Sequence, residues 1–323
     1  MYDIVALGEL LIDFTPAGIS ESGNPLFERN PGGAPANVLS AVSKLGGKGA
    51  FIGKVGEDQF GYFLKSILDD HGIETKGLKF SETVNTTLAF VHLDKHGDRS
   101  FSFYRNPGAD MTLSMEDLDY NLIDETKIFH FGSLSMTDEP SRSATKAALE
   151  YAKKSGKIIT YDPNWRPALW ESDRAAKEGM QFGLQYADIL KVSEEELVFL
   201  TGTRDVSEGS RQLASTGAKL IVVTLGPKGC FYHSPAGSGY LSTYDTKIID
   251  TTGAGDSFFG ALIYQISRYA GKVEEIKADE IRAMIDFSNA AGALCASQKG
   301  AINVMPSFEK IKYCMENIPL LKV

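Results

Sequence analysis

Asp250-Thr251-Thr252-Gly253-Ala254-Gly255-Asp256-Ser257-Phe258-Phe259-Gly260 runs small, conformationally permissive residues straight into a helical pattern. Gly253 and Gly255 let successive N–H groups point into one concavity, and the start of the helix adds positive potential, so the stretch reads as an anion hole. Asp256 puts a carboxylate beside the anion. That carboxylate either caps the helix or accepts a proton from an alcohol attacking a phosphoryl group held in the hole.

Outward from this stretch, short Val/Ile/Leu-rich runs alternate with segments of helical periodicity. Strands are predicted at Ile4 to Leu7, Ala50 to Gly53, Ile128 to Phe131, Ile158 to Tyr161, Ile189 to Val192 and Leu220 to Thr224, with an antiparallel pair beginning at Cys230. Helices are predicted at Pro35 to Leu45, Asp58 to His71, Glu139 to Ser155, Glu194 to Leu200, Gly255 to Tyr269 and Asp279 to Ser297. The alternation implies a three-layer α/β/α sandwich with a mostly parallel central sheet. Thr86 to Leu93 and Ser100 to Arg105 break the rhythm and read as a hairpin about Asp94-Lys95-His96-Gly97-Asp98. Together with the Gly/Pro/Asn-rich segment from Pro16 to Gly33, it predicts a small inserted β-sheet lid, placed at 14–33 and 84–109 of one domain spanning 1–323.

The chain has 323 residues, 43% hydrophobic and 23% charged, with 33 basic and 42 acidic side chains for a net charge of -9. That balance argues against nucleic acid or an anionic membrane as partner, but leaves small anions open to a local backbone site. Three widely spaced cysteines, Cys230, Cys295 and Cys314, predict neither a disulfide framework nor a structural zinc, and fit a reducing cytoplasm. The N-terminal residues read as a strand, so neither secretion nor membrane insertion is expected. No Gly-x-x-x-x-Gly-Lys P-loop is present, and the first strand leads into Gly8-Glu9-Leu10 rather than a Gly-x-Gly-x-x-Gly turn.

A second segment, Asn30-Pro31-Gly32-Gly33-Ala34-Pro35-Ala36-Asn37, lets the backbone approach a ligand at Gly32-Gly33 and projects Asn37 from the first turn of a helix. With both segments present in this order, the chain resembles the PfkB, or ribokinase-like, family of carbohydrate kinases. Phe103-Tyr104-Arg105-Asn106-Pro107-Gly108-Ala109-Asp110, Tyr161-Asp162-Pro163-Asn164-Trp165-Arg166 and Lys191-Val192-Ser193-Glu194-Glu195-Glu196 are most similar to the fructokinases within it.

The resemblance implies transfer of the γ-phosphate of Mg-ATP to a sugar, D-fructose at O6, with Asp256 as base and the amides of Gly253, Ala254 and Gly255 as anion hole. It implies sugar contacts from Asp13, Gly32, Gly33 and Asn37 on the main domain, with Arg105 swinging over the ligand as the lid closes, and from Arg166. It places ATP against Lys191, Glu196, Thr224, Gly226, Gly229 and Asn289, and gives Glu196 a water-mediated role toward Mg2+. Ser193 stands where the family more often has asparagine. Many members bind a monovalent cation such as K+, and Asp250, Thr252 and Gly300 match its surroundings, although Val304 offers no side-chain oxygen there. The same resemblance accommodates a 2-keto-3-deoxygluconate kinase, a ribokinase or a riboside kinase. A sugar- or nucleotide-binding sensor without turnover would not need Asp256 as a base. The lid edge suggests a homodimer.

Overall fold

The structure, a computed structural model, describes residues 1–93 and 99–322; the expected hairpin tip at 94–98 lies outside the described residues. In chain order the strands are β1 (Tyr2–Leu7), β2 (Leu11–Ile19), β3 (Pro25–Gly32), β4 (Gly49–Gly56), β5 (Glu74–Ser81), β6 (Leu88–Leu93), β7 (Arg99–Tyr104), β8 (Thr126–Phe131), β9 (Ile158–Tyr161), β10 (Ile189–Ser193), β11 (Leu220–Thr224), β12 (Cys230–Ser234) and β13 (Gly237–Leu241). The helices are α1 (Ala34–Lys44), α2 (Gln59–Asp70), α3 (Tyr120–Asp124), α4 (Ser141–Lys154), α5 (Asp173–Leu184), α6 (Glu194–Thr201), α7 (Val206–Ala214), α8 (Ala254–Arg268), α9 (Ala278–Ala296) and α10 (Phe308–Asn317).

A 9-stranded sheet runs in the order β13-β12-β11-β10-β9-β8-β1-β4-β5. It is parallel from β11 to β5, and β12 and β13 close one edge antiparallel. β1 shows why the sheet has helices on both faces. Val5 and Leu7 point into a core with Phe129, Phe131, Ala148 of α4 and Leu197 of α6, while Ile4 and Ala6 point the other way, toward Leu39 of α1 and Phe259 of α8. All four β1 side chains are fully buried, so a strand apolar on both faces specifies the middle layer of three.

The second sheet is 4-stranded, in the order β3-β2-β6-β7. It begins at Leu11, three residues before the predicted lid boundary, so Asp13 belongs to the small sheet, opposite Asn30 on β3 and Ala89 on β6, and not to the main domain as expected. Side chains alternate along β2: Leu11, Asp13 and Thr15 face a cleft above the main sheet, whereas Phe14 stacks on Phe90 at 4.8 Å and meets Phe60 of α2 edge-on at 5.9 Å.

Candidate active site

A cleft of about 710 Å³ opens where the main parallel strands end and the small sheet overhangs them. β1 delivers Glu9 to it, β9 delivers Asn164, Trp165 and Arg166, and β10 delivers Lys191 and Ser193. The small sheet adds Asp13, Thr15, Glu28, Asn30, Val91 and Phe103.

At its floor α8 starts without any side-chain cap. Gly253 occupies the N-cap position at φ 73°, a left-handed backbone that favours glycine, and an added Cβ would lie 2.6 Å from that of Ala301. The Ala254 N–H is taken by the Thr251 carbonyl at 3.2 Å. This narrows the expected hole to Gly255 and the residues about it. Asp256 follows in the first turn, 8% exposed, and its Oδ2 accepts a 2.7 Å hydrogen bond from Asn37 Nδ2. The two glycine-rich segments therefore meet at one carboxylate. Burial, reinforced by the nearby Asp162 charge, pushes Asp256 up to about 6, against the opposing pull of Lys191, Asn37 and Arg166.

Lys191 Nζ pairs with Asp162 Oδ2 at 2.7 Å in a nearly water-free setting. The attraction of Asp162, Glu196 and Asp256 outweighs the desolvation that would neutralise the amine, so Lys191 stays a cation. Its ammonium lies 3.0 Å from where a Cβ of Gly255 would stand, directly beside the helix start. Glu196 accepts N–H bonds from Trp165 on Oε1 and Ser193 on Oε2, both at 2.7 Å, and the Ser193 hydroxyl accepts the Glu196 N–H at 3.1 Å. Ser193 thus completes a capping box on α6. Burial and Asp162 raise the Glu196 carboxyl above the usual range. With both oxygens already engaged by the backbone, the donor set suits outer-shell contact with Mg2+ through water. Among the described residues no group of three or more His, Cys, Asp or Glu is placed to hold a metal directly.

At the end of the cleft walled by the small sheet, Gly32 leaves room for Asp13, because a Cβ there would sit 2.2 Å from Asp13 Oδ2. Gly33, at φ 119°, lies so close to the chain that its Cβ would stand 2.4 Å from the Glu9 carbonyl. Burial, opposed by Arg166 and reinforced by Asp250, brings Asp13 up to about 6. Asn37 Oδ1 is buried without a partner. Arg166, exposed, donates to the Trp165 carbonyl at 3.1 Å and reaches the same cleft.

Arg105 does not behave as the mobile lid residue expected. Its side chain is 4% exposed, with Nε on Asp110 Oδ2 at 2.8 Å and the two terminal nitrogens on Thr137 Oγ1 and the Leu134 carbonyl, both at 3.1 Å. A guanidinium satisfied on three sides cannot swing without stranding Asp110 in a buried pocket.

Of the residues expected to hold the nucleotide, Thr224 ends β11 in register with Ser193, on the same strand-end rim. Gly226, at φ 57°, has open space where a side chain would be. Gly229 has a purely architectural need: at φ 82°, a Cβ would lie 2.0 Å from the Leu241 carbonyl. Asn289 is buried and its Nδ2 holds the Ser242 carbonyl at 3.1 Å. None of these four lines the cleft itself. Asp250 ties two loops together, accepting from the Thr252 N–H (2.9 Å) and hydroxyl (2.7 Å) on Oδ1 and from the Gly300 N–H on Oδ2 at 3.1 Å. Sequence reasoning quoted Asp162 only within a longer segment and gave Glu9 no role. Leu190 pairs with Tyr161, so the residues that follow, Lys191 and Asp162, leave neighbouring strands side by side and meet at the cleft.

Residues 1–307 match the pfkB family carbohydrate kinases. The chain belongs to this family. It is 46% identical over 309 residues to "Probable fructokinase-5" of Arabidopsis thaliana, covering 94% of each chain. Among solved structures, fructokinase with bound ATP from Xylella fastidiosa superposes with a TM-score of 0.90 at 32% identity, over 98% of this chain and 99% of that one. A double mutant of fructokinase from Vibrio cholerae O395, in a fructose, ADP and potassium ion bound form, gives 0.87 at 34% identity over 97% and 98%. The chain is accordingly a sugar kinase of ribokinase-like fold. Among the described residues no helix is long and apolar enough to cross a membrane.

Proposed function

We propose that this protein is an ATP-dependent fructokinase, moving the γ-phosphoryl group of Mg-ATP to O6 of D-fructose, with Asp256 as the general base. The observation that carries this reading is the 2.7 Å bond from Asn37 to Asp256, which joins the polyol end of the cleft to the anion hole at the atom where a proton must be accepted. Asp13, the Gly32-Gly33 turn, Asn37 and Arg166 hold the sugar. The ionised carboxylates accept from its hydroxyls, and the unpartnered Asn37 Oδ1 supplies a further acceptor.

The Gly253 and Gly255 amides and Lys191 offset charge on the transferring group without having to reorganise. Thr224, Gly226 and the small-residue face of α9 around Asn289 take the rest of the nucleotide. Glu196 would hold Mg2+ through water, and the ion when bound would neutralise phosphate charge. A K+ site is assigned to the loops joined by Asp250, Thr252 and Gly300, supported by the potassium-bound Vibrio relative.

We read 1–323 as one kinase domain carrying the inserted lid, working in the cytoplasm. Three buried free cysteines support the reducing compartment. The lid's outer face, with Phe27 41% and Tyr104 66% exposed beside Phe90, supports a homodimer formed lid to lid. ADP release measured across fructose, ribose, 2-keto-3-deoxygluconate and ribosides tests the substrate. Fructose should give the highest kcat/KM, and preference for another sugar would displace this reading.

A further inference from the structure

α1 carries Asn37, yet its N-cap residue is Gly33, which has no side chain to satisfy the first amides of the helix. The missing acceptor comes from another part of the chain. Glu9, just beyond β1, sends its carboxyl across to the Ala34 N–H, at 2.9 Å from Oε1, and its own carbonyl presses against the Gly33 turn. Glu9 is 4% exposed, and its Oε2 is buried without a partner. One turn further along the helix, Asn37 donates its N–H to the Gly33 carbonyl at 2.9 Å and its side chain to Asp256 at 2.7 Å. The connection runs unbroken from Glu9 through the Gly33–Ala34 turn to Asn37 and the base.

We propose that Glu9 is a positioning residue for the phosphoryl-transfer site: by capping α1 from outside, it fixes Asn37 against Asp256 and the Gly32-Gly33 turn against the sugar. The proposal rests on the reading of Asp256 as base. Burial pushes the Glu9 carboxyl up to about 7 against the opposing pull of its own N–H and the Ala34 N–H, with Asp110 adding to the rise and Arg105 opposing it. Much of the population at neutral pH is therefore the neutral acid, and glutamine is a close mimic of it. A neutral cap also avoids placing a second buried charge beside the Arg105–Asp110 pair.

Asp256 faces Asp162, Lys191, Arg166 and Asn37. Of these, only Asn37 is held by α1, so slack at Glu9 should reach the base as a weakened Asn37 bond, and a weakened bond raises the Asp256 pKa. The experiment is steady-state kinetics on the full chain with fructose and Mg-ATP from pH 5 to 8.5. Glu9→Ala should lower kcat on the order of 10- to 100-fold, move the acid limb of kcat/KM for fructose upward from about 6, and leave the KM for ATP near normal. Glu9→Gln should restore kcat to within a few-fold and return the limb to its wild-type position.

A double-mutant cycle with Asn37→Ala distinguishes positioning from general loss of folding. Glu9→Ala should cost little more in that background. An unmoved acid limb, a Glu9→Gln as impaired as Glu9→Ala, or additive losses with Asn37→Ala would overturn the proposal. If instead Asp256→Asn turns over normally in the same assay, it is the assignment of the base that fails.

Discussion

Lys191 Nζ stands 2.7 Å from Asp162 Oδ2 and beside the first turn of α8, so the cation closest to the anion hole is itself anchored by a buried acid. Lysine on a flexible stem is a poor fixed charge unless something holds it. Asp162 provides that anchor at the cost of raising its other neighbours, Asp256 and Glu196.

Replacing Lys191 with methionine removes the main positive charge facing Asp256. The carboxylate then meets burial and Asp162 with only Asn37 and Arg166 opposing, and the acid limb of kcat/KM for fructose should move above pH 6. With one charge-stabilising group gone, kcat/KM for ATP should fall by roughly 100-fold or more. A pH profile superimposable on wild type would show that Lys191 does not act on the base.

Asp256→Asn should lower single-turnover phosphoryl transfer by roughly two to four powers of ten with much less change in fructose affinity. It should also stabilise the fold. Asp256 titrates at about 6 when folded against an ordinary 3.8, so between those values the folded chain holds more protons than the unfolded one. Wild-type stability therefore declines as pH rises from about 4 to 6, and the asparagine variant escapes that decline. The interval corresponds to about 3 kcal/mol. Unfolding at pH 4.5 and pH 8 should show the variant's advantage growing toward the higher pH.

Gly32→Ala would drive a methyl group into the Asp13 carboxylate, which must rotate away from the cleft. The fructose KM should rise by on the order of tenfold or more while the ATP KM holds. Equal changes in both would point to a general disturbance of the lid.

Arg105→Ala leaves Asp110 buried without its cation, with only the Thr87 hydroxyl donating to it, and should cost about 3–5 kcal/mol of stability. Fructose KM, measured well below the melting temperature, should change little. A large KM increase at unchanged stability would return Arg105 to the sugar.

Much of this was legible in the sequence because the main sheet's strands are buried on both faces and their helices carry the usual end signals. The predicted bounds of α1, α2, α8 and α9 match to within a residue or so. α5, α7 and α10 were overlooked, although Ser172, Asp205 and Ser307 cap them. The segment 14–33 is assigned to the lid, but β2 and β3 are not delimited as strands, since Pro16, Gly18, Pro25 and Pro31 mask a two-strand ribbon. The glycine segments announced the cleft. The burial of Arg105 was not readable, because its partners Asp110, Leu134 and Thr137 are brought together only by tertiary folding. Glu9 left one indirect trace: a helix opening on Gly33-Ala34-Pro35 needs an acceptor from elsewhere.

Asn37 and Asp256 are 219 residues apart in the chain. A ribosome that has released everything up to the end of β13 has made Asn37 and the small sheet but not Asp256, the base in the function proposed. Turnover can begin only after the chain's late helices dock against its earliest one, a contact of very high sequence separation that is expected to form late. On that assignment a nascent chain still lacking α8 has no means of consuming ATP by this route.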